Sequence, residues 1–260
     1  MSTTVSESLI AEFTQNLAAF WTEPFELMGL RCMRSDEVWA GDPQSDSPLL
    51  NNAVLLRPHS QRDLQKTLAA VENFYEAASG AGFCVFSRWP AHDLRDRGYS
   101  LWGAVPCMVR APGGQIPNPP ADLTVVEATD TKSLRWVEQA FIEGFPAPEL
   151  QKPRPEPIWN DNVFQAQKLK LWVGICAGQP VSCAMAYLHS AVVGVYLVAT
   201  VPEMRGRGFG EAVTWHATFA DPDQAAALTA TSMGRPIYAR MGYQGGPDFF
   251  VWLRERRTGT

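Results

Sequence analysis

The chain has 260 residues, 46% hydrophobic and 19% charged, a composition that suits one large soluble domain or two of average size. A net charge of −5 and a pI near 5.4 give no basic surface for a nucleic-acid partner. No apolar run reaches the roughly 20 residues that span a bilayer, and MSTTVSESLIAEFTQNL lacks a basic segment followed by an apolar core. Neither a membrane partner nor a secretory signal is expected, and the expected location is cytoplasmic. Cys32, Cys84, Cys107, Cys176 and Cys183 are odd in number and include no C-x-x-C pair. They read as small buried hydrophobes in a reducing compartment. His59, His92, His189 and His216 form no ligand-like cluster, so no metal is expected.

In chain order, the N-terminal stretch reads as an amphipathic helix. The rest of the first 110 residues is less regular, with a strand at NNAVLLRP, a helix at SQRDLQKTLAAVENFYEAASG and a helix-Gly-aromatic-strand unit at DLRDRGYSLWGAVPCMV. APGGQIPNPPAD, residues 111–122, is dense in Pro and Gly and reads as a linker. Beyond it the pattern alternates. LTVVEA is a short strand, and TKSLRWVEQAFIEGF a helix with Leu134, Val137, Ala140 and Phe141 on one face and Asp130 as its N-cap. The long proline-rich loop PAPELQKPRPEPIWND follows, of a length often given to function. KLWVGICA, PVSCAMAYL and GVYLVAT are strands, the first two joined by a hairpin turn at Gly178-Gln179. A glycine-rich stretch leads into the helix GEAVTWHATFA, the strand ALTATS, the helix PIYARMGY with Pro236 in its first turn, and the strand FFVWLRE. The order β-α-loop-β-β-β-α-β-α-β implies an α/β fold with a mixed sheet covered by helices.

The two parts echo each other. DLRDRGYSLWGAVPCMV from Asp93 aligns with IYARMGYQGGPDFFVWL from Ile237, and Gly98-Tyr99 falls on Gly242-Tyr243 at an offset of 242 − 98 = 144. NNAVLLRP and the helix after it would then match the strand and helix around the later glycines. The expectation is two tandem halves, residues 1–115 and 123–260, joined by 116–122.

VPEMRGRGFGEA, residues 201–212, carries the most chemistry. Alternating glycines remove Cβ atoms so that another group can approach the main chain. The amides of Gly206, Arg207, Gly208, Phe209, Gly210 and Glu211 open a helix, lack intrahelical acceptors and lie at the positive end of its dipole. Such a place takes phosphate, with Arg205 and Arg207 adding charge. No Gly-Lys-Ser/Thr follows, so this is not a P-loop. G-x-G-x-x-G fails at Glu211 counted from Gly206 and at Val213 counted from Gly208. The residues alone leave open a strand-to-helix corner without ligand.

The whole segment closely resembles the acetyl-CoA-binding motif of the GNAT superfamily of N-acetyltransferases, with core R/Q-x-x-G-x-G/A. Arg205, Gly208 and Gly210 meet that core, and the residue between Val201 and Pro202 in the longer form of the motif is missing. ATSMGRPIYARMGY resembles the next motif of the family, a strand and then a helix bearing Y-x-x-x-G-F/Y. The resemblance covers residues 123 to about 254 and implies a GNAT-like acyl-CoA N-acyltransferase fold. It implies that the coenzyme A pyrophosphate lies on the amides from Gly206 to Glu211. The pantetheine arm would pair with Val198, Ala199 and Thr200, which splay from Leu228-Thr229-Ala230. A backbone amide near Val198 would polarise the acetyl carbonyl, and Tyr238 would be the general acid. Glu143 is a candidate base, with Glu203 or a water chain as alternatives. Thr231 stands where the family often has Asn, beside the cofactor. The expected reaction moves acetyl from acetyl-CoA to a primary amine of a small molecule or peptide, without metal. An acetyl-CoA sensor without turnover is the alternative, and an interaction module on a vestigial fold a third. The first half reads as degenerate. Leu94 stands in place of Tyr238, and RPHSQRDLQ, with His59, Gln61 and Arg62, replaces the glycine loop.

Overall fold

In the computed structural model, which describes residues 5–77, 82–90, 93–152 and 156–255, one mixed sheet runs through the whole chain. The first part supplies α1 (Glu7–Phe20), α2 (Glu23–Leu27), β1 (Arg31–Arg34), β2 (Val38–Asp42), β3 (Asn52–Leu55), α3 (Gln61–Glu76), β4 (Phe83–Ser87) and β5 (Ser100–Arg110). The second supplies β6 (Thr124–Glu127), α4 (Thr131–Gly144), β7 (Leu169–Cys176), β8 (Gln179–His189), β9 (Val192–Thr200), α5 (Phe209–Thr218), β10 (Ala225–Thr229), α6 (Arg235–Arg240) and β11 (Gln244–Arg254). The strand order is β1-β2-β3-β4-β11-β5-β10-β9-β8-β7-β6. Only β3 with β4 and β9 with β10 run parallel; every other neighbouring pair is antiparallel.

The order reads outward in the same way from its centre. Each part forms a parallel pair with a helix between its strands, and each lends its last strand across the middle. β5 lies between β11 and β10, and β11 between β4 and β5. The two lent strands keep the spacing of the sequence echo, since 244 − 100 and 254 − 110 both equal 144. Gly98 and Gly242 precede them at φ 79° and 88°, left-handed values that glycine adopts without strain. Tyr99 and Tyr243 follow, both buried. The counterpart of α6 in the first part is a single 3-10 turn, Arg95–Arg97.

Alternation along the strands sends successive side chains to opposite covering layers. Val192 packs with α1 and α4, among Phe13, Leu17, Val137 and Phe141, while Val193 packs with α5 at Val213 and Ala217. Ala53 and Leu55 meet α3 at Leu64 and Leu68, while Val54 between them joins the α1 layer. The four apolar residues chosen from the periodicity of α4 are all fully buried, and Asp130 caps the helix in a capping box with Ser133.

α1 belongs in sequence to the first part but packs across the second as well. Asn16 Nδ2 donates to the carbonyls of Tyr187 (2.8 Å), His189 (3.0 Å) and Val192 (2.9 Å), and Asn16 Oδ1 accepts from the Tyr196 hydroxyl (2.6 Å). A buried amide is tolerated only with such partners. Glu23, opening α2, accepts from the Tyr187 hydroxyl and from Lys168 Nζ (3.1 Å). Among the described residues no helix is long and apolar enough to cross a membrane. The five cysteines are all unpaired, four buried and Cys32 half-buried.

Some sequence expectations need correction. The β7–β8 turn is Ala177-Gly178, at φ 50° and 78°, with Cys176 paired to Gln179. Two consecutive positive φ values match the twist of a tight hairpin, so the turn lies one residue earlier than Gly178-Gln179. The loop after α4 holds two 3-10 turns, Pro148–Gln151 and Asp161–Gln165. The sequence reading missed α2, β1, β2 and β4. His92, the end of the expected helix at 78–80 and loop positions 153–155 lie outside the described residues.

Candidate active site

β9 ends at Thr200, a 3-10 turn follows at Pro202–Met204, and α5 begins at Phe209. The three glycines between and within these elements have different reasons to be glycine. Gly206 and Gly208 sit at φ 77° and 80°, where an L side chain is strained. A Cβ at Gly206 would meet nothing within 4 Å, and one at Gly208 only Pro120 Cγ at 3.5 Å. Their bareness therefore serves the turn and the open approach rather than packing. Gly210 is a packing glycine, since a Cβ there would lie 2.6 Å from Thr200 Oγ1.

Among the described residues, no acceptor receives the amides of residues 206 to 211. The first N–H of the segment to find one is Ala212, on the Gly208 carbonyl (3.0 Å). Six consecutive free amides at a helix N-terminus form an anion cradle. Both arginines have protein partners. Arg205 donates to the carbonyls of Thr200 (3.1 Å) and Gly144 (3.0 Å) and so fastens the loop to β9 and to the end of α4. Arg207 pairs with Asp122 and lies 4.6 Å over the Phe209 ring. Phe209 itself is buried beside Leu123, Cys176 and Val181, which leaves only its backbone at the loop surface. Glu211 pairs with Arg240 (3.2 Å).

β9 and β10 hold a ladder only at Val192–Ala225, Val193–Ala226 and Gly194–Ala227. Beyond Gly194 they part, while Leu228 and Thr229 of β10 remain paired to β5. On its other side β9 carries a bulge. Its register with β8 shifts between Cys183–Ala199 and Met185–Tyr196, so Leu197 and Val198 together face Ala184. Leu197 sits at φ 48°, an unusual value for a branched residue. Bulges re-aim the backbone and collect beside active sites. This one lies where the two strands have separated.

Tyr238 on α6 packs in the cluster that holds Val195 and Leu228, with Val198 against it. Its ring fits over Gly234, where a Cβ would stand 2.7 Å from Cε2. Burial pushes its hydroxyl up to about 12, and that hydroxyl has no hydrogen-bond partner among the described residues. Thr231 accepts from the Gly234 amide (3.2 Å) with its hydroxyl and from Arg235 (2.9 Å) with its carbonyl, which starts α6. Glu143 is exposed on the last turn of α4 and accepts from Gln139 (3.0 Å). Glu203 is exposed in the turn after β9. Val198 packs against the cluster of Tyr238, Arg205 ties the glycine loop to Thr200 and Gly144, and Gly144, next to Glu143, lies close against the Thr200 backbone.

Sequence reasoning missed Gly144, Leu197 and Gly234. A Cβ at Gly144 would lie 2.8–2.9 Å from the Thr200 backbone, so glycine lets α4 close against β9. A glycine inside the apolar helix pattern FIEGF was the available signal. Nothing in the local sequence marks Leu197.

No protein-family model matches the sequence, and no curated protein sequence does. Solved structures do. The chain resembles a GCN5-related N-acetyltransferase from Kribbella flavida at TM-score 0.64 and 17% identity, covering 94% of this chain and 96% of that one. It also resembles a putative GNAT-family acetyltransferase from Novosphingobium aromaticivorans at 0.58 and 14%, over 93% and 96%. A tandem GNAT protein from the clavulanic acid biosynthesis pathway matches at 0.51 and 11%, over 86% and 79%. The chain has the GNAT fold, along almost its full length.

Proposed function

We propose that this chain is an acetyl-CoA-dependent N-acetyltransferase of two tandem halves, residues 1–115 and 123–260 joined by 116–122, with its site in the second half. The observation that supports this best is the parting of β9 and β10 at the Leu197 bulge, beside a helix N-terminus whose amides have no acceptor. Coenzyme A fits this arrangement. Free amides and positive-φ glycines suit its pyrophosphate, and the unpaired edge of Val198, Ala199 and Thr200 suits an amide-bearing arm. The cosubstrate supplies the acetyl group as a thioester. Transfer to an amine forms a C–N bond and breaks a C–S bond. The sulfur needs a proton and the amine must lose one.

The chain's residues divide this work. The amide of Val198, at the bulge, donates to the acetyl oxygen. Tyr238 keeps its proton throughout the physiological range and gives it to the departing sulfur. Arg205 holds β9, α4 and the phosphate loop in register through two backbone carbonyls. Glu143 or a chain of waters receives the amine proton. Calorimetry with CoA and an acetylation assay over a broad amine panel test the reading. Binding of CoA with turnover of at least one amine is expected. CoA binding without turnover of any amine would favour a sensor, and no CoA binding would remove both.

A further inference from the structure

β9 leaves β10 after Gly194 and reaches its bulge at Leu197. Along that stretch one edge has no ladder to β10, and the ladder to β8 on the other edge skips at the bulge. Backbone pairing alone fixes it poorly, and side chains from α1 hold it instead. The Tyr196 ring lies almost parallel to two rings of that helix, Phe20 at 4.0 Å and 13° and Phe13 at 6.2 Å and 9°. Phe13 is braced edge-on in turn by Phe249 of β11, at 5.7 Å. The Tyr196 hydroxyl donates to Asn16 Oδ1 (2.6 Å), and Asn16 Nδ2 reaches the carbonyls of the β8–β9 hairpin. Asn16 and Tyr196 are both buried, so each depends on the other for its polar atoms.

Gly194 completes the clamp. A Cβ there would stand 2.2 Å from Asn16 Oδ1 and 2.3 Å from the Tyr196 hydroxyl. The last residue paired to β10 must be bare for that hydroxyl and that amide to meet over the strand. On the β8 side the Cys183 thiol donates to the Leu197 carbonyl (3.5 Å). The bulge turns Leu197 to the α1 layer beside Tyr196, while Val198 packs in the layer of Tyr238. The last rung, the clamp and the bulge thus share residues 194–197. How Tyr196 is seated decides how Leu197 turns, and so where the Val198 amide points.

We infer that Tyr196 is a positioning residue, and that α1 of the first part, through Phe13, Asn16 and Phe20, sets the opening between β9 and β10. The inference rests on the acetyltransferase reading, which puts the pantetheine arm on Val198, Ala199 and Thr200. Tyr196 does no chemistry itself, since its hydroxyl is spent on Asn16 inside the core. It acts through the backbone of the residues after it. A binding edge works when the side chains behind it are locked by packing and hydrogen bonds, and here the lock comes from the other half of the chain. The first part, without a glycine loop of its own, thereby keeps a task in the site of the second.

The test is calorimetric titration of the full chain with CoA in Tyr196→Phe, with Tyr187→Phe as its control. Each variant keeps its ring and removes one hydroxyl bonded to the first part, to Asn16 in one case and to Glu23 in the other. Both should melt at lower temperature than wild type. Only Tyr196→Phe should bind CoA more weakly, by about tenfold, while Tyr187→Phe should bind it as wild type does. Phe20→Leu, which removes the closer stacked ring and leaves the hydroxyl, should also weaken CoA binding, and it decides the matter if Tyr196→Phe does not fold. Undiminished CoA affinity in folded Tyr196→Phe, or an equal loss in Tyr187→Phe, would overturn the inference and leave the acetyltransferase reading standing. No CoA binding by the wild-type chain would remove that reading and the inference with it.

Discussion

At the scale of single residues, position within the loop decides what a glycine is worth. Gly208 has room for a side chain but a φ of 80°. Gly208→Val should cost at least about 1 kcal/mol of stability for the left-handed conformation. It should also place a branched group where the pyrophosphate would lie. The expected result is a folded protein with CoA affinity lowered at least about tenfold, and undiminished CoA binding by calorimetry would contradict the phosphate assignment. Tyr238 is tested by Tyr238→Phe, which keeps the ring packed over Gly234 and removes only the proton. If the hydroxyl serves the sulfur, kcat should fall by roughly 10²–10⁴ with CoA affinity preserved. A kcat within about twofold of wild type would exclude that role.

At the scale of elements, the fold depends on ties between the first part and the second. Glu23 at the start of α2 meets the end of β8 through Tyr187 and His189, and the residue before β7 through Lys168. Burial works to raise its pKa, but the hydrogen bonds from Tyr187 and Lys168 outweigh burial and hold it below the ordinary value of 4.5. A carboxylate with a depressed folded pKa adds stability above its unfolded pKa, and loses that contribution as the pH falls through the folded one. Glu23→Gln should therefore lower Tm by about 1–3 °C near pH 7, a modest effect because the group is partly exposed. The difference from wild type should close as the pH falls below 4.5. Thermal melts across that range check it, and a difference that persists undiminished in acid would show that the contribution is not ionic.

At the scale of the whole molecule, one sheet built from two similar parts raises the question of how many cosubstrates it holds. Among its described residues the first part differs from the second at each corresponding place. β3 and β4 pair at Asn52–Cys84, Ala53–Val85 and Val54–Phe86, and each runs only one residue past the last pair, whereas β9 continues for six. The start of α3 is already filled, since Ser60 caps the Asp63 amide (3.2 Å) and donates to the Asp63 carboxylate (2.7 Å). That carboxylate stands where a phosphate would have to approach. Arg57 is drawn away to Glu37 (2.6 Å). Calorimetry should give one CoA per chain, and no CoA-binding site should persist in Gly208→Val. Two sites per chain would show that the first part kept the function.

Much of this was legible in the sequence, because it depends on local rules. The strand and helix order of residues 123–254 follows from periodicity and caps, as at Asp130 and the buried face Leu134, Val137, Ala140 and Phe141. The glycine loop was legible because bare amides at a helix start are a property of neighbours in the chain. The offset of 144 between Gly98 and Gly242 foretold the matched strands β5 and β11. Their exchange across the centre of the sheet was not foretold, since pairing between strands far apart in sequence is chosen by packing and not by either strand alone. The same holds for Asn16 against the β8–β9 hairpin and for the left-handed Leu197, a conformation that no leucine prefers and that the surrounding ladder imposes. The clamp on Tyr196 is the clearest case. Phe13, Asn16 and Phe20 are ordinary residues of an amphipathic helix, and only the packing of α1 against β9 brings them around one tyrosine.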